Sequence, residues 1–315
     1  MRAFITGADG FVGQWLVREL QDAGYEVHGG SRAPRMPLRT LDAVRASAMH
    51  WHRIDLLEPE SLRTAINVSR PDAIFHLAAQ SNVPASISDP ADTIEVNLLG
   101  TVRLLDACRH EAPDAMVVVV GSADVYGAAD PAQMPLREDA PLRPVNPYAA
   151  SKAAAEVATL QYARCGWVRA LVTRSFNHTG PGQSEAFAAP AFAQQIAAIR
   201  SGEQPPVLHV GNLKALRDFL DVRDVVAAYR LLAERGGPCN VYNVCSGAVV
   251  SMRDIVDELA RIAGVTVKVE EDPARMRPSD TPLLVGDAGA LQRTTGWRPS
   301  IPLSQTLTDL LASYA

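Results

Sequence analysis

The chain has few cysteines. There are four among 315 residues, at Cys108, Cys165, Cys239 and Cys245. They are scattered, without the short paired spacings that bind a structural metal or form a disulfide framework. This argues against a disulfide-stabilised secreted domain and against a cysteine-bound metal. We predict reduced thiols, a cytoplasmic location and no metal site.

Long apolar runs are also missing, since no segment approaches the roughly 20 residues that a membrane-spanning helix needs. Met1 and Arg2 lead directly into an apolar strand and a glycine turn, so no signal peptide is expected. Neither sign of charge dominates, because 30 Lys and Arg stand against 35 Asp and Glu, for a net charge of −5. We expect neither a membrane nor a nucleic-acid partner.

The chain does contain a regular alternation of short apolar runs with longer helical patterns. Consecutive apolar residues, as in Val117–Val120, are typical of parallel strands that are buried on both faces. The alternation predicts an α/β fold with a Rossmann-type doubly wound parallel sheet. The predicted strands are Ala3–Thr6, Glu26–Gly29, Ala73–Leu77, Met116–Val120, Ala170–Thr173 and Val241–Val244. The predicted helices are Gly13–Ala23, Pro59–Val68, Thr93–Arg109, Tyr148–Cys165 and Val222–Glu234.

After about residue 178 this rhythm becomes irregular, and proline, glycine and arginine become more frequent. We predict a smaller C-terminal α/β substrate-binding domain in this region. The predicted Rossmann domain comprises residues 1–177 plus about 218–248. The substrate-binding domain then comprises about 178–217 and 249–315.

The segment GADGFVG, residues 7–13, places three glycines between a predicted strand and a predicted helix. In a dinucleotide-binding turn, Gly7 makes the tight turn, Gly10 lets a pyrophosphate approach the backbone, and Gly13 lets the helix pack closely. Backbone N–H groups at the start of the helix, including those of Phe11 and Val12, then face the phosphates. The segment therefore predicts a dinucleotide site.

The end of the second predicted strand bears on which dinucleotide binds. An acidic residue there selects NAD, because it binds the ribose 2′-hydroxyl and repels a 2′-phosphate. This chain instead has Ser31 and Arg32, with Arg35 nearby. A hydroxyl and a guanidinium suit a 2′-phosphate, so the sequence favours NADP(H) and leaves NAD(H) as the alternative. The competing interpretation of Arg32 is a solvated surface arginine.

Three further residues suggest the chemistry. Tyr148 and Lys152 in NPYAASK lie one helical turn apart, and Ser122 follows the buried strand of residues 116–120. A lysine ammonium beside a phenol is expected to lower the tyrosine pKa from its usual value near 10. Ser122 can bind the same substrate oxygen as Tyr148, and Lys152 can also hold the nicotinamide ribose. We predict reversible hydride transfer between a nicotinamide and a carbonyl group.

The G-x-x-G-x-x-G spacing, together with these three residues, resembles the extended short-chain dehydrogenase/reductase family, whose members mostly act on nucleotide-linked sugars. The resemblance implies an adenine contact by Asp55 and Leu56. It also implies that a small-residue strand end lies beside the cofactor, formed by Leu77, Ala78 and Ala79.

The family resemblance implies a homodimer as well, in which helices starting near Thr93 and Tyr148 pair as a four-helix bundle. Alanine-rich helix faces would allow the close packing. Two further residues receive structural interpretations: His76 as a packed histidine, and Tyr126 as a structural or substrate-wall residue.

Segments of the downstream third resemble enzymes of GDP-linked sugars, namely residues 174–183 (RSFNHTGPGQ), 211–218 (GNLKALRD) and 277–299. The first is most similar to the reductase branch, although Ser175 replaces its usual proline. Forked guanidinium groups are suited to a diphosphate. The substrate-binding residues implied by the resemblance are Asn177, Asn212, Lys214, Arg217, Arg277 and Asp280.

Ala123 and Asp124 depart from the pattern of the sugar 4,6-dehydratases, which place an acidic pair or one Glu after the catalytic Ser or Thr. Alanine cannot act as an acid, while Asp124 remains a candidate catalytic carboxylate. We therefore predict NADP(H)-dependent reduction of the 4-keto group of a GDP-4-keto-6-deoxy sugar, of the GDP-4-keto-6-deoxy-D-mannose to GDP-D-rhamnose type. The alternatives are a GDP-mannose 4,6-dehydratase, a nucleotide-sugar 4-epimerase and a non-catalytic NADP-sensing regulator.

Overall fold

The computed structural model describes residues 1–33, 38–275 and 281–314. The strands are β1 Arg2–Thr6, β2 Glu26–Ser31, β3 His50–Arg53, β4 Ala73–His76, β5 Met116–Val120, β6 Arg169–Ser175, β7 Asn177–Thr179, β8 Val207–Val210, β9 Leu216–Arg217, β10 Phe219–Asp221, β11 Val241–Val244, β12 Val250–Ser251, β13 Lys268–Glu271 and β14 Leu283–Leu284. The α-helices are α1 Phe11–Asp22, α2 Ala43–Ser47, α3 Pro59–Ser69, α4 Val83–Ser88, α5 Pro90–Ile94, α6 Gly100–Glu111, α7 Pro147–Arg164, α8 Ala188–Arg200, α9 Val222–Arg235, α10 Met252–Ala263, α11 Gly289–Thr295 and α12 Leu303–Ala312.

A seven-stranded sheet has the order β11-β6-β5-β4-β1-β2-β3, and all of its neighbouring strands are parallel. From β1 the chain continues through β2 to β3 on one side, and then returns to β4 on the other side. In open α/β sheets, ligands bind beyond the carboxyl ends of the strands at such a reversal. The predicted Rossmann-type doubly wound sheet is confirmed.

Both faces of this sheet are buried, which explains its consecutive apolar residues. Ile5 and Val118 belong to one apolar cluster, while their neighbours Phe4 and Val117 belong to another. Helices α1 and α9 contribute to the first cluster, and α3, α6 and α7 contribute to the second. Alternate side chains of one strand point to opposite faces, so a strand between two helical layers must be apolar throughout.

Strand β3 was not among the predicted strands, because its sequence His-Trp-His-Arg lacks an apolar run. It forms the edge of the sheet, where β2 is its one neighbour among the described strands, so fewer of its side chains need to be apolar.

The region predicted to be irregular contains three substantial helices. Helices α8, α10 and α12 pack with β8 around a third apolar cluster that includes Phe192, Leu208, Leu259 and Leu310. The domain boundaries near residues 177, 217 and 248 stay a prediction. None of the helices within the described residues is long and apolar enough to cross a membrane.

The helix predicted over Thr93–Arg109 has a different construction. Helices α5 and α6 are joined by a π-helical segment, Glu95–Leu99, and the helical region begins at Pro90. Within this segment the Asn97 side-chain amide donates hydrogen bonds to the Gln80 carbonyl and to Ser151 Oγ, both at 2.9 Å. These bonds connect the end of β4 with α7, the helix that carries Tyr148.

Candidate active site

A cavity of about 770 Å³ opens at the carboxyl ends of β1, β4 and β5. Its volume is typical of small-molecule and cofactor sites. The predicted site residues that line it are Gly7, Gly10, Phe11, Val12, Gly13, Leu77, Ala78, Ala79, Ser122, Asp124, Tyr148, Lys152, Asn177, Asn212 and Arg217. The fold therefore brings together residues that are far apart in the sequence.

The glycine turn has the shape that a pyrophosphate needs. Gly7 has a φ of +73°, and a Cβ at Gly13 would overlap the Gly7 carbonyl group and approach Ala8 Cα to 2.8 Å. Gly10 precedes α1, and no side chain caps the start of this helix. The first backbone N–H groups of a helix have no partner within it, so this end of α1 can receive an anion. The turn therefore fits a dinucleotide cofactor.

The end of β2 lies directly against this turn. The Gly7 N–H donates to the Gly30 carbonyl at 2.8 Å, and Ser31 and Arg32 follow. Ser31 is buried and Arg32 is exposed. The neighbouring strand ends at the same edge, where the Ile54 N–H donates to the Ser31 carbonyl at 3.0 Å. Of the residues that the structure describes, the cavity lining does not include Ser31, Arg32, Asp55 or Leu56, and Arg35 lies outside the described residues.

Ser122, Tyr148 and Lys152 meet where β5 ends and α7 begins. Asn146 caps α7 by accepting a hydrogen bond from the Ala149 N–H at 2.8 Å, which sets the first turn of the helix. Tyr148 and Ser122 share a side-chain hydrogen bond. One turn further along, Lys152 Nζ donates to the Val120 carbonyl at 2.9 Å. The three predicted catalytic groups thus lie together on the cavity wall.

The pKa of Tyr148 differs from the expectation. Burial raises the pKa of Tyr148 above its ordinary value, the Asp124 carboxylate raises it further, and the hydrogen bond with Ser122 lowers it only in part. Burial also lowers the pKa of Lys152 to about 8. The expected lowering of the tyrosine pKa by Lys152 was wrong for this geometry, because the ammonium donates to the Val120 carbonyl and desolvation dominates at the phenol. Tyr148 therefore keeps its proton at neutral pH.

The lowered pKa of Lys152 predicts a pH dependence of stability. An unfolded lysine binds its proton up to about pH 10.4, whereas the folded chain releases this proton near pH 8. Between these values Lys152 binds its proton only in the unfolded state, so its own contribution to the free energy of unfolding should rise with pH, by at most about 3 kcal/mol. We expect Lys152→Met to lack this contribution in urea unfolding measured at stepwise pH and compared with the wild type.

The matched control is Lys214→Met, because Lys214 is an exposed lysine. It should retain the pH dependence of the wild type. An undiminished rise in the Lys152→Met variant would contradict a lowered pKa at Lys152.

Asp124 is placed next to these groups. Its backbone N–H donates to Ser122 Oγ at 3.2 Å, and its side chain lines the cavity close enough to affect the Tyr148 pKa. Ala123 also contacts the cavity but is otherwise buried. The Asp124 carboxylate thus lies within reach of the groups predicted to react at Ser122 and Tyr148, and its neighbour is Ala123.

The predicted substrate residues are only partly brought together. Asn177, Asn212 and Arg217 line the far part of the cavity, and Arg217 Nη1 donates to the Leu216 carbonyl at 2.9 Å and to the Thr281 carbonyl at 2.5 Å. Lys214 is exposed and is not among the described residues that line the cavity. Arg277 and Asp280 lie outside the described residues.

Other residues of the cavity were missed or undervalued in the sequence. Arg275 and Phe192 line it, and the only available signal was their position near the predicted substrate residues. Ser175, given little weight as a proline replacement, contacts the cavity and shares a 2.6 Å hydrogen bond with Tyr229. Tyr229 is buried and raises the Tyr148 pKa, so this pair belongs to the surroundings of the phenol.

Two residues are structural, as interpreted from the sequence. His76 is buried, with Nδ1 at 2.8 Å from Thr6 Oγ1 and Nε2 at 3.0 Å from Thr101 Oγ1. Tyr126 is fully buried and donates to Asn243 Oδ1 at 2.7 Å.

The glycine turn fits a dinucleotide, and a phenol, a hydroxyl and an ammonium group line the same cavity. These are the groups needed for hydride transfer at a carbonyl carbon. The class that fold and site define is thus the Rossmann-type oxidoreductases. More specifically, the chain belongs to the GDP-mannose 4,6-dehydratase-type family of extended short-chain dehydrogenases/reductases. The family model described as GDP-mannose 4,6 dehydratase matches residues 4–310.

Individual relatives agree with this assignment. The chain is 41% identical over 314 residues to GDP-6-deoxy-D-mannose reductase of Pseudomonas aeruginosa, covering 99% of this chain and 97% of the relative. It is 33% identical to GDP-mannose 4,6 dehydratase 2 of Arabidopsis thaliana, covering 95% and 83%. Among solved structures, RMD from Pseudomonas aeruginosa complexed with NADPH superposes with a TM-score of 0.87 at 38% identity, covering 99% and 98%. The predicted family, fold and enzyme class are confirmed.

Proposed function

We propose that this protein reduces the 4-keto group of a GDP-4-keto-6-deoxy sugar with NADPH, converting GDP-4-keto-6-deoxy-D-mannose to a product of the GDP-D-rhamnose type. The observation that carries the proposal is the placement of Ser122, Tyr148 and Lys152 together on the wall of a cavity that begins at a glycine turn. The relative named GDP-6-deoxy-D-mannose reductase and the NADPH-bound structural neighbour support it.

The geometry of the cavity supports the following roles. When bound, NADPH would supply the hydride, with its pyrophosphate held at Gly7, Gly10 and Gly13. Tyr148 donates its proton to the carbonyl oxygen as negative charge develops there, and Ser122 holds the same oxygen by a hydrogen bond. Lys152 binds the nicotinamide ribose.

The remaining assignments come from the family resemblance, and the cavity lining supports them for Asn177, Asn212 and Arg217. Ser31 and Arg32, at the end of β2, are proposed to bind the 2′-phosphate, and Asp55 and Leu56 the adenine. In the substrate region, Asn177, Asn212, Lys214, Arg217, Arg277 and Asp280 are proposed to bind the GDP-linked sugar. We place the enzyme in the cytoplasm, and its four free cysteines support this proposal.

The second candidate is the 4,6-dehydratase reaction, favoured by the Asp124 carboxylate at the cavity and by the matching family model. That reaction begins with oxidation at C4, in which Tyr148 would have to accept a proton. The alanine at position 123, where the dehydratases have an acidic residue, favours the reductase.

The deciding experiment follows nicotinamide absorbance with purified protein, NADPH and GDP-4-keto-6-deoxy-D-mannose, with GDP-mannose as the parallel substrate. We expect loss of NADPH with the keto sugar only, and NMR couplings of the product then give its C4 configuration. Formation of a 4-keto product from GDP-mannose when NADP⁺ replaces NADPH, without a net change in nicotinamide absorbance, would instead establish the dehydratase.

We also propose a homodimer through α6 and α7. Val157 on α7 is 60% exposed and Leu99, at the start of α6, is 44% exposed, so apolar side chains lie on the outer face of this helix pair. Val157→Arg should yield a monomer in light scattering, because a charge cannot be buried unpaired in a helical interface. Val68→Arg is the control, since Val68 on α3 is 63% exposed and lies elsewhere. A monomeric wild type, or a dimer retained by Val157→Arg, would exclude this interface.

A further inference from the structure

Three side chains of the types that bind metal ions lie together near the edge of the sheet, far from the cavity. Glu26 and His28 are on β2, and His50 lies opposite His28 on β3. One ligand atom from each of these residues lies within 4.8 Å of the other two. The cysteine spacing predicted no metal site, but this group is formed by the register of two strands, which spacing cannot show.

The distances suit a divalent transition metal. His28 Nε2 lies 3.1 Å from Glu26 Oε1, and His50 Nε2 lies 3.7 Å from the same oxygen. Zinc bonds to histidine nitrogen and carboxylate oxygen are about 2.0–2.2 Å, so tetrahedral ligand atoms stand roughly 3.3–3.5 Å apart. Both histidine nitrogens therefore lie near the carboxylate oxygen at separations close to those around one ion. The His28 and His50 rings are stacked with centroids 4.7 Å apart, so one ring must turn for both lone pairs to meet at the ion.

A fourth side chain orients the central ligand. His28 Nδ1 lies 2.9 Å from His52 Nε2, and their rings are stacked with centroids 5.2 Å apart. In this structure the His28 Nε2–H donates to Glu26 Oε1 at 3.1 Å, because a carboxylate can only accept. An ion bound at Nε2 would replace that proton, and His28 Nδ1 would then donate to His52 Nε2. Ligating histidines usually donate their second ring nitrogen in this way, to a carboxylate, a backbone carbonyl or water.

The surroundings leave room for an ion and its water. His28 is buried, whereas the side chains of Glu26 and His50 are 52% and 60% exposed. Three protein ligands on a partly open surface leave a fourth position for water, as in open zinc sites.

From this geometry we propose that Glu26, His28 and His50 form a binding site for Zn²⁺ or a similar divalent transition metal, with His52 as its positioning residue. The ion would join the edge strand β3 to β2. The site lies at the amino end of β2, about 16 Å along the strand from Ser31. Its expected role is to stabilise the sheet edge, and it is not part of the hydride-transfer site.

The test is equilibrium dialysis of the full-length protein against Zn²⁺, together with thermal unfolding at increasing Zn²⁺. We expect one ion per chain and a midpoint that rises with Zn²⁺, because the ion binds the folded state. His50→Gln and Glu26→Gln should abolish both effects. His52→Gln should keep the stoichiometry and weaken binding about 10- to 100-fold.

The matched control is His110→Gln, an exposed histidine on α6 beside Asp106. It should bind Zn²⁺ like the wild type. Because His50 is mostly exposed, its variant should unfold at the wild-type temperature in the absence of Zn²⁺, which separates loss of the site from loss of the fold. No bound zinc in the wild type at millimolar concentration, or equal binding by wild type and His50→Gln, would overturn the proposal.

Discussion

Tyr148→Phe is expected to lower kcat for reduction of the keto sugar by about 10²–10⁴-fold, the usual contribution of a general acid. The variant keeps the ring and removes only the hydroxyl that is hydrogen-bonded to Ser122. Packing and the glycine turn are unaffected, so NADPH affinity should stay near that of the wild type. The measurements are steady-state kinetics with the keto sugar and a fluorescence titration of NADPH.

The matched control is Tyr162→Phe, on the same helix. Tyr162 packs edge-to-face on Trp167, with ring centroids 5.1 Å apart, away from the cavity. Its loss of a hydroxyl should leave kcat unchanged. Turnover of the Tyr148→Phe enzyme at the wild-type rate would show that Tyr148 is not the proton donor, and it would favour the non-catalytic NADP-sensing alternative.

The second large effect is expected in the core, at Arg174. The guanidinium of this buried residue donates to both carboxylate oxygens of buried Glu156, at 2.9 and 2.6 Å. It also donates to the Tyr126 hydroxyl at 2.8 Å and to the Glu138 carbonyl at 2.9 Å. Arg174→Met would leave the Glu156 carboxylate buried without its partner. We expect a loss of about 3–5 kcal/mol in the free energy of unfolding, measured by urea denaturation.

Two further variants test whether the unpaired Glu156 charge causes this loss of stability. Replacing both partners, with Arg174→Met and Glu156→Leu together, should recover most of the loss, because no uncompensated charge remains. Arg253→Met removes one partner of an exposed pair with Asp257 and should change stability little. If Arg174→Met were no more destabilising than Arg253→Met, the buried pair would not be what holds β6 to α7.

Some structural features could be predicted from the sequence because local residues encode them. Strand β5 matched its predicted bounds, since five apolar residues in a row have few alternatives to a buried strand. Helix α7 was found within one residue at each end, because Asn146 and Pro147 mark its start. Strand β3 was missed because a polar edge strand has no period that distinguishes it from a loop.

The candidate active site likewise has some features that local sequence patterns indicate and others that they do not. Three glycines between a strand and a helix, and a tyrosine one turn from a lysine, are local patterns, so their residues could be named in advance. The hydrogen bond between Ser175 and Tyr229 joins residues 54 positions apart, and no local pattern signals it. The direction of the Tyr148 pKa shift could not be inferred either, because desolvation depends on which residues bury the phenol in the folded chain.

By itself, the sequence determined the strand–helix alternation, the glycine turn and the three residues of the proposed chemistry, since each depends on neighbours within one or two turns of chain. Only the tertiary structure decided the direction of the Tyr148 pKa, the position of Asp124 beside it, and the grouping of Glu26, His28 and His50. These properties depend on burial and strand register, and both arise from contacts between segments that the chain order keeps apart.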